Sequence, residues 1–323
     1  MRLVFMGTPP FAAVCLQALL DDGRDVAAVV SQPDRPSGRG RRMHRSAVAQ
    51  LADSHDIEVL QPDRAGDPAF VERLQAIAPD LAVVVAYGRI LPNRVLDLPR
   101  LGCINAHASL LPLLRGAAPI QHAVLQGHAR TGVTIMQISE RMDAGDMLRK
   151  ADLEIAGDDD TASLAEKLAN LSAQLLTQTL DDITADRLSP TSQDESLATY
   201  APPITAEHAR INWSDTAETC ERRVRAVRPR PGAFTFDEAT RLKVLESRVR
   251  VDATAEAGRT MDAGTAFAVE GDALLVTCGQ GVLAIDKLQP EGRRPMSGAD
   301  YQRGSGRELP RALDARTDGH ADQ

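Results

Sequence analysis

Short apolar runs alternate with stretches of helical periodicity through the first half of the chain. Met1 to Gly7 is apolar and strand-like, and the apolar residues from Phe11 to Leu20 then fall at helical spacing. Pro9 and Pro10 stand where that helix begins, a position at which a missing N–H costs nothing. Val26 to Val30 reads as the next strand. Leu81 to Ala86 is continuously apolar and rich in valine, as in a parallel strand buried on both faces. Gly102 to Ala106 and Val133 to Ile138 read as further strands, with helical segments between them. Strands alternating with helices predict a doubly wound, Rossmann-like α/β domain over residues 1–186, its ligand lying outside the carboxyl ends of the strands.

From Arg187 the pattern dissolves into Ser, Pro, Thr and Asp, and residues 187–205 read as an interdomain linker. Beyond it the texture changes. A helix near Ala217 to Val227 precedes short strands at Arg241–Leu245, Gly264–Val269, Ala273–Thr277 and Val282–Leu288, parted by Gly- and Asp-rich turns. This spacing predicts a small OB-like β-barrel over residues 206–310. The polar residues 311–323 read as a frayed tail.

The 323 residues suffice for two domains with separate cores. No apolar run approaches the roughly 20 residues that span a bilayer. Asp21, Asp22 and Arg24 cut short the first apolar segment, so no secretory leader is read there. The four cysteines are scattered and form no CxxC pair, which fits reduced thiols in a cytoplasmic protein. His122 and His128 are six apart and do not share a helical face, so no metal site is expected. Gly7-Thr8-Pro9 is no dinucleotide fingerprint.

A net charge of −8 argues against a protein that coats nucleic acid indiscriminately. The basic residues are nevertheless uneven. Arg35, Arg39, Arg41, Arg42 and Arg45 crowd one short segment, and Arg222, Arg223, Arg225, Arg228 and Arg230 crowd another. Either cluster could hold a polyanion locally or simply be a solvated face.

The candidate chemistry lies between Cys103 and Met147. Asn105 and His107 interrupt the end of an apolar strand, and residues two apart on a strand face the same way. An amide beside an imidazole suits transfer at a carbonyl: one steadies a developing oxyanion, the other moves a proton. The later turn Asp143-Ala144-Gly145-Asp146 offers two carboxylates.

Across nearly the whole chain, these segments resemble the methionyl-tRNA formyltransferase family, within the wider folate-dependent formyltransferases. The matching text is FMGTPPFA, QPDRPSGRGRRM, VVVAYGRILP, LGCINAHASLLPLLRGAAPIQ, TGVTIMQISERMDAGDML, ARINWS and VRAVRPRPGAF. The resemblance implies catalytic roles for Asn105, His107 and Asp143, and it alone selects Asp143 over Asp146. It implies a slot for 10-formyltetrahydrofolate along Tyr87, Gly88, Arg89, Ile90 and Leu91 and along Ile138, Ser139 and Glu140. Ser109, Leu110, Leu111 and Pro112 match the signature loop beside this donor. It places initiator methionyl-tRNA against the Gln32–Met43 loop, with Arg39 foremost and Arg35, Arg41 and Arg42 around it, and Arg222 and Arg225 as further contacts. It implies no metal, and a monomer is expected.

Three departures from the family pattern stand out. Leu113-Leu114 replaces a polar or basic residue and an aromatic, Ala106-His107-Ala108 replaces Val-His-Gly, and Arg230 stands where Trp is frequent. Competing readings are a formyltransferase for an amino-sugar nucleotide, a non-catalytic folate or RNA binder, and a hydrolase that releases formate. The basic loop at Arg35–Arg45 favours tRNA over the sugar.

Overall fold

The computed structural model describes residues 1–37, 42–250 and 260–314, with the side chains of Ser37 and Arg42 left aside. The chain divides into two compact units. The first comprises Met1–Pro119, Arg130–Ile155 and Leu164–Pro202, and the second comprises Ile120–Ala129, Ala156–Ser163 and the chain from Pro203 on.

The first unit is built on a seven-stranded sheet. Its strands are β1 (Arg2–Gly7), β2 (Asp25–Val30), β5 (Glu58–Leu60), β6 (Leu81–Val85), β7 (Cys103–His107), β8 (Arg130–Gln137) and β9 (Met147–Glu154), in the order β5-β2-β1-β6-β7-β8-β9. Strands β5 to β7 along this order are parallel. All five residues of β6 are buried, as its unbroken apolar run requires. Val4 and Met6 of β1 join a core with Phe70, Leu74 and Ile77 of α3 (Pro68–Ile77). Helix α1 (Pro10–Asp21) packs with α2 (Ala47–Ser54) and also meets the sheet. The Sγ of Cys15 on α1 approaches the Ala169 carbonyl of α6 (Thr161–Thr184).

Two strands depart from the parallel expectation. β8 runs antiparallel to β7, with His107 opposite Thr134 and Ile104 opposite Gln137, and β9 runs antiparallel to β8. An apolar run carries no direction, so the sequence pattern could not supply this. The consequence is local: β8 ends beside Cys103, whose carbonyl accepts from the Ile138 N–H at 2.8 Å, and the loop 138–146 must turn back to reach His107.

Between β2 and α2 lies a small hairpin, β3 (Arg35–Ser37) with β4 (Arg42–His44), pairing Arg35 with His44 and Ser37 with Arg42. The segment 187–202 belongs to the first unit. Thr191 exchanges two backbone bonds with Met147 at 2.8 and 2.9 Å, and Arg115 does the same with Thr199 and Ala201 at 2.9 and 2.7 Å.

The second unit carries an antiparallel sheet, β10-β11-β14-β13-β12-β16, formed by β10 (Phe234–Asp237), β11 (Thr240–Arg250), β12 (Thr265–Glu270), β13 (Ala273–Thr277), β14 (Val282–Pro290) and β16 (Arg311–Ala312). Just past β16, the Asp314 N–H reaches the Phe236 carbonyl of β10 at 2.6 Å, which nearly closes the sheet into a barrel. Helix α8 (Ala217–Ala226) packs on β11 and β14. Trp213, the chain's one tryptophan, is buried there and donates to Thr235 Oγ1 at 2.9 Å. Among the described residues no helix is long and apolar enough to cross a membrane.

Asp237 ties the ends of this sheet together. Its buried carboxylate accepts from Tyr301 Oη at 2.7 Å and pairs with Arg307 at 2.6 Å and Arg311 at 3.0 Å. Removing one partner of a buried ion pair strands the other charges. Asp237→Ala should therefore destabilise the second unit by about 3–5 kcal/mol, read as a lower urea midpoint of Trp213 fluorescence.

Candidate active site

Strand β7 delivers Asn105 and His107 to one side of the sheet, with Ala106 pointing the other way. Asn105 sits between Val84 of β6 and Met136 of β8 and is half-buried, while His107 is 6% exposed. The ring of His107 is held at Nε2 and faces Asp143 through Nδ1. Its Nε2 lies 2.9 Å from the Leu114 carbonyl oxygen, and its Nδ1 lies 3.6 Å from Asp143 Oδ2. A carbonyl can only accept, so Nε2 carries a proton and the variable position is Nδ1.

The carbonyl of Leu114 is aimed by backbone rather than by side chain. Leu114 adopts φ +58°, and its N–H is fixed to Thr199 Oγ1 at 2.9 Å. The preceding turn is equally tied. Thr134 Oγ1 accepts from the Leu111 N–H at 3.1 Å and donates to the Ser109 carbonyl at 2.8 Å, and Ser109 Oγ donates to the Leu113 carbonyl at 2.5 Å. Ser109 and Leu111 are buried, Leu110 and Pro112 half-buried, and Leu113 exposed. The Leu113-Leu114 departure thus splits into an exposed side chain and a buried one whose carbonyl holds the histidine.

The two carboxylates of the Asp143–Asp146 turn are separated by their partners. Asp143 adopts φ +50°, and its Oδ2 accepts from the Gly116 N–H at 2.8 Å while facing His107. Asp146 Oδ1 accepts from Ser192 Oγ at 2.8 Å. The carboxylate brought to the histidine is that of Asp143.

Tyr87 to Leu91 form the loop after β6. Tyr87 and Leu91 are buried, Gly88 is exposed at φ +79°, and Ile90 is 82% exposed. Gln32 Nε2 supports this loop by donating to the carbonyls of Tyr87 and Gly88 at 2.9 and 3.3 Å. A Cβ on Gly88 would lie 2.5 Å from that same Nε2. Burial raises the Tyr87 phenol above its ordinary pKa, against a smaller opposing pull from Arg89. Ile138 packs beside the same core cluster, Ser139 Oγ donates to the Arg141 carbonyl, and Glu140 accepts from Asn93 Nδ2 at 2.6 Å.

The basic clusters resolve differently. Arg35 is exposed on β3, and Arg42 pairs with Ser37 through its backbone; Arg39 and Arg41 lie outside the described residues. Arg45 is an anchor: its guanidinium grips Asp53 at 2.5 and 2.7 Å and also reaches Asp34 and Gln61. In the second unit, Arg225 Nε donates to Glu221 at 2.6 Å and Nη1 to the Asp159 carbonyl at 2.6 Å, while Arg222 Nη2 donates to Thr219 at 3.0 Å. Arg228 likewise pairs with Asp160 at 2.6 Å. Among the described residues no group of three His, Cys, Asp or Glu could hold a metal ion.

Residues 1–180 match the formyl transferase family, and residues 203–306 match the formyl transferase C-terminal domain. The chain belongs to the formyl transferase family. A curated relative of this transferase, the methionyl-tRNA formyltransferase of Methylococcus capsulatus, is 48% identical over 301 residues, which are 93% of this chain and 96% of the relative. HypX from Aquifex aeolicus, solved in complex with tetrahydrofolic acid, has a TM-score of 0.65 at 18% identity over 95% of this chain and 47% of its own. The transferase thus spans about half the length of HypX. The N-formyltransferase from Helicobacter canadensis, solved with folinic acid and dTDP-3-aminofucose, has a TM-score of 0.64 at 14% identity over 88% of this chain and 98% of its own. At such identities the two solved structures share the fold alone.

Sequence reasoning missed the polar residues that support the transferase site: Gln32, Thr134, Ser192, Gln193, Glu195 and Thr199. Four of these lie in the Ser- and Thr-rich stretch that reads as a linker, and partners some 80 residues apart leave no spacing signal. Thr134→Val should leave the Leu111 N–H and Ser109 carbonyl unsatisfied, at a cost of about 1–3 kcal/mol. Thr134→Ser should restore most of the loss, as read from thermal unfolding midpoints.

Proposed function

We propose that this formyl transferase moves the formyl group of 10-formyltetrahydrofolate to the α-amine of methionine on initiator tRNA, supplying formylmethionyl-tRNA for translation initiation. The observation that carries the mechanism is His107 pinned at Nε2 with Nδ1 turned to Asp143. An α-amino group has a pKa of about 7.7–8.0 and is partly protonated near neutrality, so a base must free its lone pair. Asp143 and the open Nδ1 of His107 form that base together. The amine nitrogen then bonds to the formyl carbon, and the carbonyl π pair moves onto oxygen.

Asn105 donates to this oxyanion through its side-chain amide. His107 can donate there only through Nδ1, because the Leu114 carbonyl holds Nε2. The proton taken from the amine therefore arms the second oxyanion donor. Each such contact is worth roughly 3–4 kcal/mol in comparable sites. As the new carbon–nitrogen bond forms, the amine nitrogen sheds its second proton to Asp143, which releases it to solvent. Collapse then breaks the bond from carbon to the folate nitrogen, and the proton stored on His107 leaves with that nitrogen. The formyl donor is already activated, so this route calls for no metal.

The backbone from Tyr87 to Leu91, with Ser109 to Pro112 and Ile138 to Glu140, supplies the donor's slot in this reading. In the same reading the tRNA acceptor end lies against the segment Gln32–Met43, with Arg39 foremost in the sequence and Arg35, Arg41 and Arg42 beside it. Unpaired RNA ends suit such readout, and phosphate contacts make affinity salt-dependent. Arg225 is already engaged within its own unit through Glu221 and the Asp159 carbonyl, whereas Arg222 commits Nη2 to Thr219 and leaves its Nε without a partner among the described residues. High identity to a methionyl-tRNA enzyme supports the tRNA acceptor over an amino-sugar nucleotide. The protein is taken to act in the cytoplasm as a monomer.

The deciding assay offers 10-formyltetrahydrofolate with methionyl-tRNA or with an amino-sugar nucleotide; formylation of the sugar alone would sink the reading. Asn105→Ala, His107→Ala and Asp143→Ala should each lower turnover by about 10²–10³ in folded protein, whereas Asp146→Ala should stay within severalfold of the parent. Arg39→Ala should raise the KM for methionyl-tRNA and weaken its salt dependence while the KM for the folate donor holds. Equal tRNA KM values in both proteins would remove the hairpin from the acceptor site.

A further inference from the structure

The segment 191–201 takes no part in the chemistry above, yet it holds the turn that carries Asp143 at several points. Ser192 Oγ donates to Asp146 at 2.8 Å, and Glu195 bridges Arg115 at 3.0 Å and Arg141 at 2.5 Å. Gln193 reaches the aspartate itself. Its Nε2 donates to the carbonyls of Asp143 and Gly145, both at 2.8 Å. Its Oε1 accepts from Arg115 Nε at 3.0 Å and Nη2 at 2.8 Å.

This amide has one possible orientation. A guanidinium only donates and a carbonyl only accepts, so the oxygen must face Arg115 and the nitrogen must face the turn. Arg115 is 1% exposed and cannot swing away to release it.

Resting on the reading that Asp143 handles the amine proton, we propose that Gln193 is the positioning residue for Asp143. Asp143 stands at φ +50°, a left-handed conformation that a non-glycine residue holds only when its surroundings impose it. The Gln193 bond fixes the peptide plane that follows Asp143, and the Gly116 N–H fixes its carboxylate. Together they direct Oδ2 to His107. Ser192, Glu195 and the Thr191–Met147 backbone pair keep the segment attached without Gln193, and Glu195 still pairs with Arg115. Removing Gln193 therefore costs some stability at Arg115, while the segment stays in place and the Asp143 turn loses its hold.

A double-mutant cycle tests this with purified protein in the methionyl-tRNA assay. Gln193→Ala should lower kcat about 10- to 100-fold, the range a small misplacement of a reacting group produces, with the folate KM within about twofold. In an Asp143→Ala background the same change should cost less than about twofold, because the residue it serves is gone. Gln193→Glu keeps the Arg115 pairing but sets a carboxylate oxygen against two carbonyls, and should lose kcat at least as far. Should Gln193→Ala prove unable to fold, Gln193→Glu carries the same cycle. Losses that multiply in both backgrounds, or a parental kcat in either Gln193 variant, would overturn the proposal. Full turnover in Asp143→Ala alone would instead overturn the proton-handling role, and this inference with it.

Discussion

Arg115 carries its guanidinium at 1% exposure, and a charge left unpaired at such depth costs several kcal/mol. It must therefore find acceptors, and it finds them in Gln193 and Glu195, some 80 residues further along the chain. Those acceptors in turn hold Arg141, Asp143 and Gly145. Arg115 and Glu195 shift each other in the expected sense: the hydrogen bond with Glu195 raises the arginine, and the bonds from Arg115 and then Arg141 lower the carboxyl. One buried charge thus draws a distant polar segment onto the turn that bears Asp143.

The site is mostly a backbone construction. His107 is fixed by the Leu114 carbonyl, Asp143 by the Gly116 N–H, and the loop after β6 by its Tyr87 and Gly88 carbonyls, which accept from Gln32. Two non-glycine residues, Leu114 and Asp143, stand in the left-handed region to make these groups point correctly. A substitution that keeps the same backbone can therefore be tolerated beside the chemistry. Leu113-Leu114 and Ala108 stand where the family usually places other side chains without disturbing the groups that hold the ring.

Much of this was readable in the sequence. The unbroken apolar runs at Met1–Gly7 and Leu81–Ala86 became β1 and β6, and the polar interruption at Asn105 and His107 falls at the end of β7. What failed to show had physical reasons. Apolar periodicity has no sense of direction, so the antiparallel course of β8 was hidden. β11 runs on to Arg250, past the expected end at Leu245, and this extension was hidden because Glu246, Ser247, Arg248 and Arg250 dilute the apolar signal. Gln193 and Glu195 read as linker because composition reports solvent affinity and not partners. Asp143 and Asp146 were equivalent on spacing, and only Ser192 and His107 tell them apart.

The position in the chain of segment 191–201, the strap over the Asp143 turn, has a consequence for biogenesis. Every strand of the seven-stranded sheet and the whole Asn105, His107 and Asp143 set precede residue 155, whereas the strap follows α6. A nascent chain that has emerged only as far as 186 has the sheet and the Asn105, His107 and Asp143 side chains, but lacks the Gln193 and Glu195 acceptors of Arg115 and the Gln193 bond to the Asp143 carbonyl. A fragment cut where composition changes would keep Asn105, His107 and Asp143 but lose the contacts of Gln193 and Glu195, so the boundary of the first unit lies at Pro202 and not at the end of the helix.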